Sequence, residues 1–337
     1  MADEEKVKLD SKSAKANLEQ KKQQGEDLSE EDVIVIQELE RIVSSIQQEV
    51  GKSNELPATK ELRDLLMISK SSMASVTKHL KFLKPHYGPL VQLLKTSTRP
   101  TDKYLLADVL SFVGMIYGRD SKDALNFRLM VNEYRKNPSA DQSDLIEAIS
   151  AYGHEYARYL ALEIKQSYAE NQDSEGEEDL MKVDDTSEKL IDLARVIAQF
   201  FILKGPDLDA IDLLSEVNCV REIPNIISAD IYDRVCKYLV SCSQTLPHED
   251  AVVFLEAAHN IYTRYGTPLD RLPLSLKLGD NERVLKDFGD CQTSAERKQA
   301  AFLLSRQRFD ITQLGKHDDE FLSMCLQGTY LSDYYLR

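Results

Sequence analysis

A histidine followed directly by a glutamate on a helical stretch opens the zinc-protease pattern H-E-x-x-H, and His154-Glu155 is such a pair. In that pattern two histidines on one helical face bind the metal, and the glutamate takes a proton from metal-bound water. The second ligand position is Arg158, a cation that cannot ligate and would repel the metal. His154 and Glu155 are therefore read as helix residues making structural hydrogen bonds. Gly315-Lys316-His317 fails as a phosphate-binding loop, because the pattern G-x-x-x-x-G-K-[S/T] would need glycine at Asp310 and a hydroxyl at His317. Neither a G-x-S-x-G elbow nor a glycine-rich dinucleotide fingerprint occurs. The six histidines, His79, His86, His154, His248, His259 and His317, stand singly rather than at ligand spacing. No residue is assigned a catalytic, cofactor-binding or metal-ligating role, and no cofactor is expected.

The five cysteines, Cys219, Cys236, Cys242, Cys291 and Cys325, are odd in number and contain no C-x-x-C pair. They read as reduced thiols, with Cys236 and Cys242 as small buried apolar residues of a helix. Two serines sit before acidic residues. Ser29, ahead of Glu30-Glu31-Asp32, suits a helix cap better than a kinase site, because carboxylates favour the positive first turn. Ser174, three residues before Glu177, is a candidate phosphorylation site.

Positioning elements follow from the hydrophobic period. Leu145, Ile149, Tyr152, Tyr156, Leu160 and Ile164 are three or four apart, as are Leu190, Leu193, Ile197, Phe200 and Phe201. Each set predicts one apolar stripe on a helix. The spacing recurs in Tyr232, Val235, Cys236 and Leu239, and in Val252, Leu255, Ala258 and Tyr262, and nothing calls for a strand. Pro57, Pro138, Gly205-Pro206, Pro224, Pro247 and Pro268 punctuate the stripes. Helix pairs with their turns then occupy about 35 to 40 residues, the size of helical repeats. The predicted fold is all-α: an array of antiparallel helix pairs, a degenerate α-solenoid of the TPR-like kind. Residues 1–28 are polar and read as a disordered tail, 29–169 as an N-terminal helical segment, 170–188 as an acidic solvated loop, and 189–337 as a second helical-repeat segment.

A net charge of −15, with 42% hydrophobic and 29% charged residues, describes a folded acidic protein. It argues against phosphate-backbone or anionic-membrane partners, although a local basic patch remains open. No run approaches the about 20 apolar residues that span a bilayer. The tyrosines and phenylalanines fall mostly on the stripes, and in an open helical array a concave face can hold a partner helix or peptide.

Several blocks, in order along the chain, carry a resemblance. Asp27-Leu28-Ser29-Glu30-Glu31-Asp32 leads to Glu38-Leu39-Glu40, then Ser71-Ser72-Met73-Ala74-Ser75-Val76 and Leu80-Lys81-Phe82-Leu83-Lys84-Pro85-His86-Tyr87-Gly88. Gly153 to Ala161, Val235 to Cys242 and Lys298 to Arg306 follow. Together they resemble the N-terminal part of the non-ATPase regulatory subunit 2 family, the largest scaffold subunits in the base of the 26S proteasome regulatory particle. That family has proline at the positions of Thr77 and His79 and tryptophan at that of Tyr152, which predicts a more helical approach to Leu80 and altered packing near Gly153.

The resemblance implies a non-catalytic scaffold in the cytoplasm and nucleus, assembled with ATPase-ring and other regulatory-particle subunits and supporting ubiquitin-dependent degradation. Docking of ubiquitin and shuttle proteins is expected only in the repeat toroid that the family carries beyond this region. Tyr330 to Arg337 reads as ending inside a helix, as a fragment would. The alternative is a helical adaptor of another multiprotein complex.

Overall fold

The computed structural model describes residues 29–51, 56–67, 73–118, 122–135, 142–173, 180–309 and 320–327. Among these there is no strand, and the chain forms two compact units, one reaching Ile197 and the other starting at Ala198. The first holds α1 (Glu30–Glu49), α2 (Pro57–Leu66), α3 (Met73–Thr96), α4 (Pro100–Tyr117), α5 (Asp123–Arg135), α6 (Gln142–Tyr152) and α7 (His154–Asp173). Helix α8 (Leu180–Lys204) contains the division. The second unit continues with α9 (Asp207–Glu216), a 3-10 turn (Val220–Glu222), α10 (Ile223–Ile226), α11 (Tyr232–Cys242) and α12 (His248–Tyr265). It ends with α13 (Pro268–Leu278), α14 (Asn281–Gly289), α15 (Ser294–Arg306) and α16 (Glu320–Gln327). Helices close in sequence pack on one another: α1 on α2 and α3, α4 on α5, α11 on α12, α13 on α14 and α15 on α16. The fold is an all-α, solenoid-like array of helix pairs.

Local chemistry explains where helices begin. Ser29 Oγ accepts from the Asp32 N–H at 3.2 Å while the Asp32 carboxylate accepts from the Ser29 N–H at 3.3 Å, a capping box that satisfies two orphan donors of α1. Thr293 and Glu296 repeat the device on α15. Pro57 and Pro268 occupy the first position of α2 and α13, where no N–H is needed, and Pro206 and Pro247 are the N-caps of α9 and α12.

The apolar stripes become the cores. Leu190, Leu193, Ile197, Phe200 and Phe201 are all buried on α8, as are Val235, Cys236 and Leu239 on α11 and Leu255, Ala258 and Tyr262 on α12. The stripe from Leu145 to Ile164 is buried from Ile149 onward, yet it lies on two helices instead of one. Gly153, with φ of +89°, ends α6 and lets α7 start one residue later. So brief a break preserves the spacing of three and four, which is why the pattern reads as continuous. The interval 170–188 also differs from a loop throughout: α7 runs to Asp173 and α8 starts at Leu180. Helix propensity of Leu, Met, Lys and Glu sustains a turn even where few apolar residues anchor it. Helix α3 passes through Thr77 and His79 without a break, as the missing prolines predict.

Candidate functional site

The His154-Glu155 pair opens α7 on the exposed surface, and Glu155 faces Arg158 Nη1 at 3.5 Å, one turn along the same helix. A carboxylate in the first turn of a helix, paired with a cation three residues on, supports that helix and leaves no ligand set. No group of three potential metal ligands occurs among the described residues. Ser174, Gly315-Lys316-His317, residues 1–28 and residues 330–337 lie outside the described residues. Cys219, Cys236, Cys291 and Cys325 are buried, whereas Cys242 is half-buried. Burial pushes the Cys236 thiol up to about 12, away from the thiolate that nucleophilic chemistry requires.

The polar chemistry of the first unit converges on Asp108, buried on α4. Arg63 of α2 brings Nε to 2.8 Å from Asp108 Oδ2, and Arg128 of α5 brings Nη1 to 3.0 Å from Oδ1, as ionic contacts rather than aligned hydrogen bonds. Tyr152, at the end of α6, donates its hydroxyl to Asp108 Oδ2 at 3.1 Å. A second chain runs from Arg128 Nε to Tyr156 Oη at 2.8 Å, from there to Ser111 Oγ at 2.6 Å, and on to the Ala124 carbonyl at 2.7 Å. Phe112 stacks on Tyr152 with centroids 4.7 Å apart and meets Tyr156 edge-on at 5.6 Å. Four helices thus meet at one carboxylate, and Arg128 links a fifth, α7, through Tyr156. Burial would lower the Arg128 pKa, but the facing Tyr156 and Asp108 raise it, so the guanidinium stays charged. Burial raises the Tyr152 and Tyr156 phenols, so both remain donors.

The second unit has a smaller counterpart joining α12, α13 and α14. Asp287 receives Ser275 Oγ at 2.6 Å, faces His259 Nε2 at 3.1 Å, and brings Oδ1 within 2.7 Å of Arg271 Nε. Arg271 also pairs with Asp290. Ser, His and Asp together invite comparison with a hydrolytic triad, but the order is wrong. The imidazole of a triad stands between serine and carboxylate to take the serine proton. Here the carboxylate stands in the middle, and Ser275 is wholly buried. Burial tends to raise the Asp287 pKa, yet hydrogen bonds from His259 and Ser275 and the charge of Arg271 outweigh it and hold the carboxyl below its usual range.

Two surface features stand apart from these networks. A cavity of about 360 Å3 lies at the start of α4 and the end of α5, walled by Pro100, Tyr104, Met130 and Tyr134, with Lys103 among its lining residues. Tyr104 and Tyr134 stack there at 5.0 Å. The other is the exposed face of α3, which carries lysines and no carboxylate. Of these groups the sequence reading names Tyr152 and Tyr156 as stripe residues, His259 as a histidine standing singly, and Lys81 and Lys84 only within a block of resemblance. A signal was available in the lone Asp108 inside the apolar run Leu105-Leu106-Ala107-Asp108-Val109-Leu110, since a carboxylate at a core position needs cations around it.

Charged side chains sealed against their counter-ions inside helix pairs define a helical-array protein whose polar residues hold elements together. The chain belongs to the RPN1 N-terminal domain family, whose model matches residues 39–337. It is similar to the 26S proteasome regulatory subunit rpn-1 of Neurospora crassa, with 35% identity over 325 residues, covering 96% of this chain and 34% of that protein. The corresponding subunit rpn1 of Schizosaccharomyces pombe is 33% identical over 311 residues, covering 92% and 32%. The 26S proteasome non-ATPase regulatory subunit 2 of Dictyostelium discoideum is 31% identical over 313 residues, covering 92% and 32%. The chain spans about a third of the length of these curated relatives.

Proposed function

We propose that the chain is the N-terminal helical part of a proteasome regulatory-particle scaffold, that it helps seat this scaffold on the ATPase ring, and that it supports ubiquitin-dependent degradation without catalysing a step. The observation that carries this reading is family membership over residues 39–337, joined to relatives named as 26S proteasome regulatory subunits. Among the described residues, His259, Ser275 and Asp287 meet in the interior with the carboxylate rather than the imidazole in the middle, an arrangement that binds helices together. Cytoplasm and nucleus follow as the compartments, and no described helix is long and apolar enough to cross a membrane. Ubiquitin and shuttle-protein docking is assigned to the repeat region of the full scaffold and to no residue here.

Incubation of the purified chain with isolated regulatory-particle ATPases, followed by native electrophoresis, tests the reading. A shifted band containing both supports it. Free migration of both at concentrations well above micromolar contradicts it.

A further inference from the structure

We propose that the solvent face of α3, together with the cavity at the start of α4, is a docking surface for an acidic segment of another polypeptide that ends in an apolar side chain. Helix α3 buries Val76, Leu80, Leu83, Tyr87, Leu90 and Leu94. The opposite face presents Lys81, Lys84, Gly88, Gln92 and Lys95, spaced three or four apart and all exposed. No aspartate or glutamate occurs anywhere in Met73–Thr96. In a chain with net charge −15, this face has the opposite sign to the molecule that carries it.

Among the described residues, carboxylates of neighbouring elements reach only its flank. Glu31 reaches across from α1 to Lys78 at 2.7 Å, and Glu38 lies 3.9 Å from the buried His79, on the flank of the helix. Among the described residues, Lys81, Lys84 and Lys95 enter no ion pair, and Lys81 lies 5.1 Å from the ring of Phe82. Gly88 sits midway between them with nothing within 4 Å of where a Cβ would be, so another backbone can come close. Pro85 and Pro89 lack N–H groups, which leaves the Lys81 and Pro85 carbonyls as acceptors without their helical donors. Three residues past Lys95, Thr98 begins the lining of the 360 Å3 cavity, where Lys103 adds a cation beside Tyr104, Met130 and Tyr134. Glu133 in the same lining is already engaged by Lys189 at 2.7 Å.

The spacing selects the partner class. Lys81 and Lys95 are about 21 Å apart along the helix at 1.5 Å per residue, a length that an acidic helix or extended strand matches with carboxylates a turn apart. A nucleic acid backbone demands a denser array, and its counterion release rewards six to ten cations rather than about four. An anionic bilayer would also meet the repulsion of the acidic remainder of the chain. The inference goes beyond the proteasome reading, since it concerns the chemistry of one face whichever assembly the chain joins.

Fluorescence anisotropy with the whole 337-residue chain is the test. The probe is a labelled helical peptide of about 18 residues with glutamates three and four apart on one face and a leucine near one end. The expected result is saturable, salt-sensitive binding that weakens at least about tenfold in the triple variant K81E/K84E/K95E. A peptide with lysine in place of each glutamate should bind that variant better than the wild type. Circular dichroism controls for folding, and the milder K81Q/K84Q/K95Q variant, expected to lose affinity in the same direction, serves if the reversal unfolds the chain. The proposal is overturned if the acidic peptide does not bind, if the variants bind it as well as the wild type does, or if phosphatidylserine–phosphatidylcholine vesicles or a DNA duplex bind these lysines more tightly.

Discussion

Asp108 gathers the buried charges of the first unit. It lies among two guanidiniums and a tyrosine hydroxyl, and removing it leaves Arg128, 2% exposed, as an uncompensated buried charge. Asp108→Ala is expected to cost about 3–5 kcal/mol in urea denaturation, the range for breaking one side of a buried ion pair. Tyr152→Phe keeps the ring stacked on Phe112 and removes only the hydrogen bond to a charged acceptor, so its cost should be about 2 kcal/mol. Equal costs for the two would contradict the assignment of Asp108 as the centre. Asp287 gives a pH-dependent counterpart. Its folded pKa is depressed, so its contribution is present above the unfolded value of about 3.9 and is lost as pH falls through the lower folded value. The stability gap between wild type and Asp287→Asn should therefore narrow as pH falls below about 4. A gap independent of pH would show that the carboxylate is not held ionised by its partners. These groups were hard to find from sequence because an ion pair between residues 63 and 108 or 271 and 287 has no local spacing rule. Only the apolar surroundings of Asp108 hinted at one.

At the scale of elements, the reading succeeded where one residue type has one structural use. Ser29 caps α1, Pro57 and Pro268 open α2 and α13, and the stripes on α8, α11 and α12 are buried as their period predicts except at Tyr232 and Val252, which open the α11 and α12 stripes and are half-buried. It was less sharp where the helical period survives an interruption. Gly153 separates α6 from α7 at positive φ, and the chain on either side keeps the same buried phase through Tyr152 and Tyr156. Gly153→Ala should cost about 1 kcal/mol, because a Cβ is disfavoured at that φ, and both tyrosines would shift with it. Thermal unfolding checks this, and an unchanged or raised midpoint would contradict a glycine requirement. On either side of 174–179, which lie outside the described residues, helix occupies 170–173 and 180–188, and exposed residues such as Glu170 and Gln172 continue a helix whose other face is buried. The basic face of α3 was legible only as an open possibility, since whether Lys81, Lys84 and Lys95 share a surface depends on a helix passing through Pro85 and Pro89.

For the whole molecule, the fold class is carried by a period of three to four that recurs from α1 to α16 and by the absence of alternation. Both are averages over many residues and survive local errors. The partner is not carried by the fold, because helical arrays serve many assemblies. It rests on ordered blocks from Asp27 to Arg306 and on relatives that match nearly all of this chain. The most direct measurement is therefore compositional: the protein is tagged at its N-terminus in its own cells, purified by affinity at near-physiological salt, and its partners are quantified by mass spectrometry. The account predicts that the regulatory-particle ATPases are recovered in near-stoichiometric amounts. Recovery of another multiprotein complex with no proteasome ATPase would contradict it and leave the helical-adaptor alternative in its place.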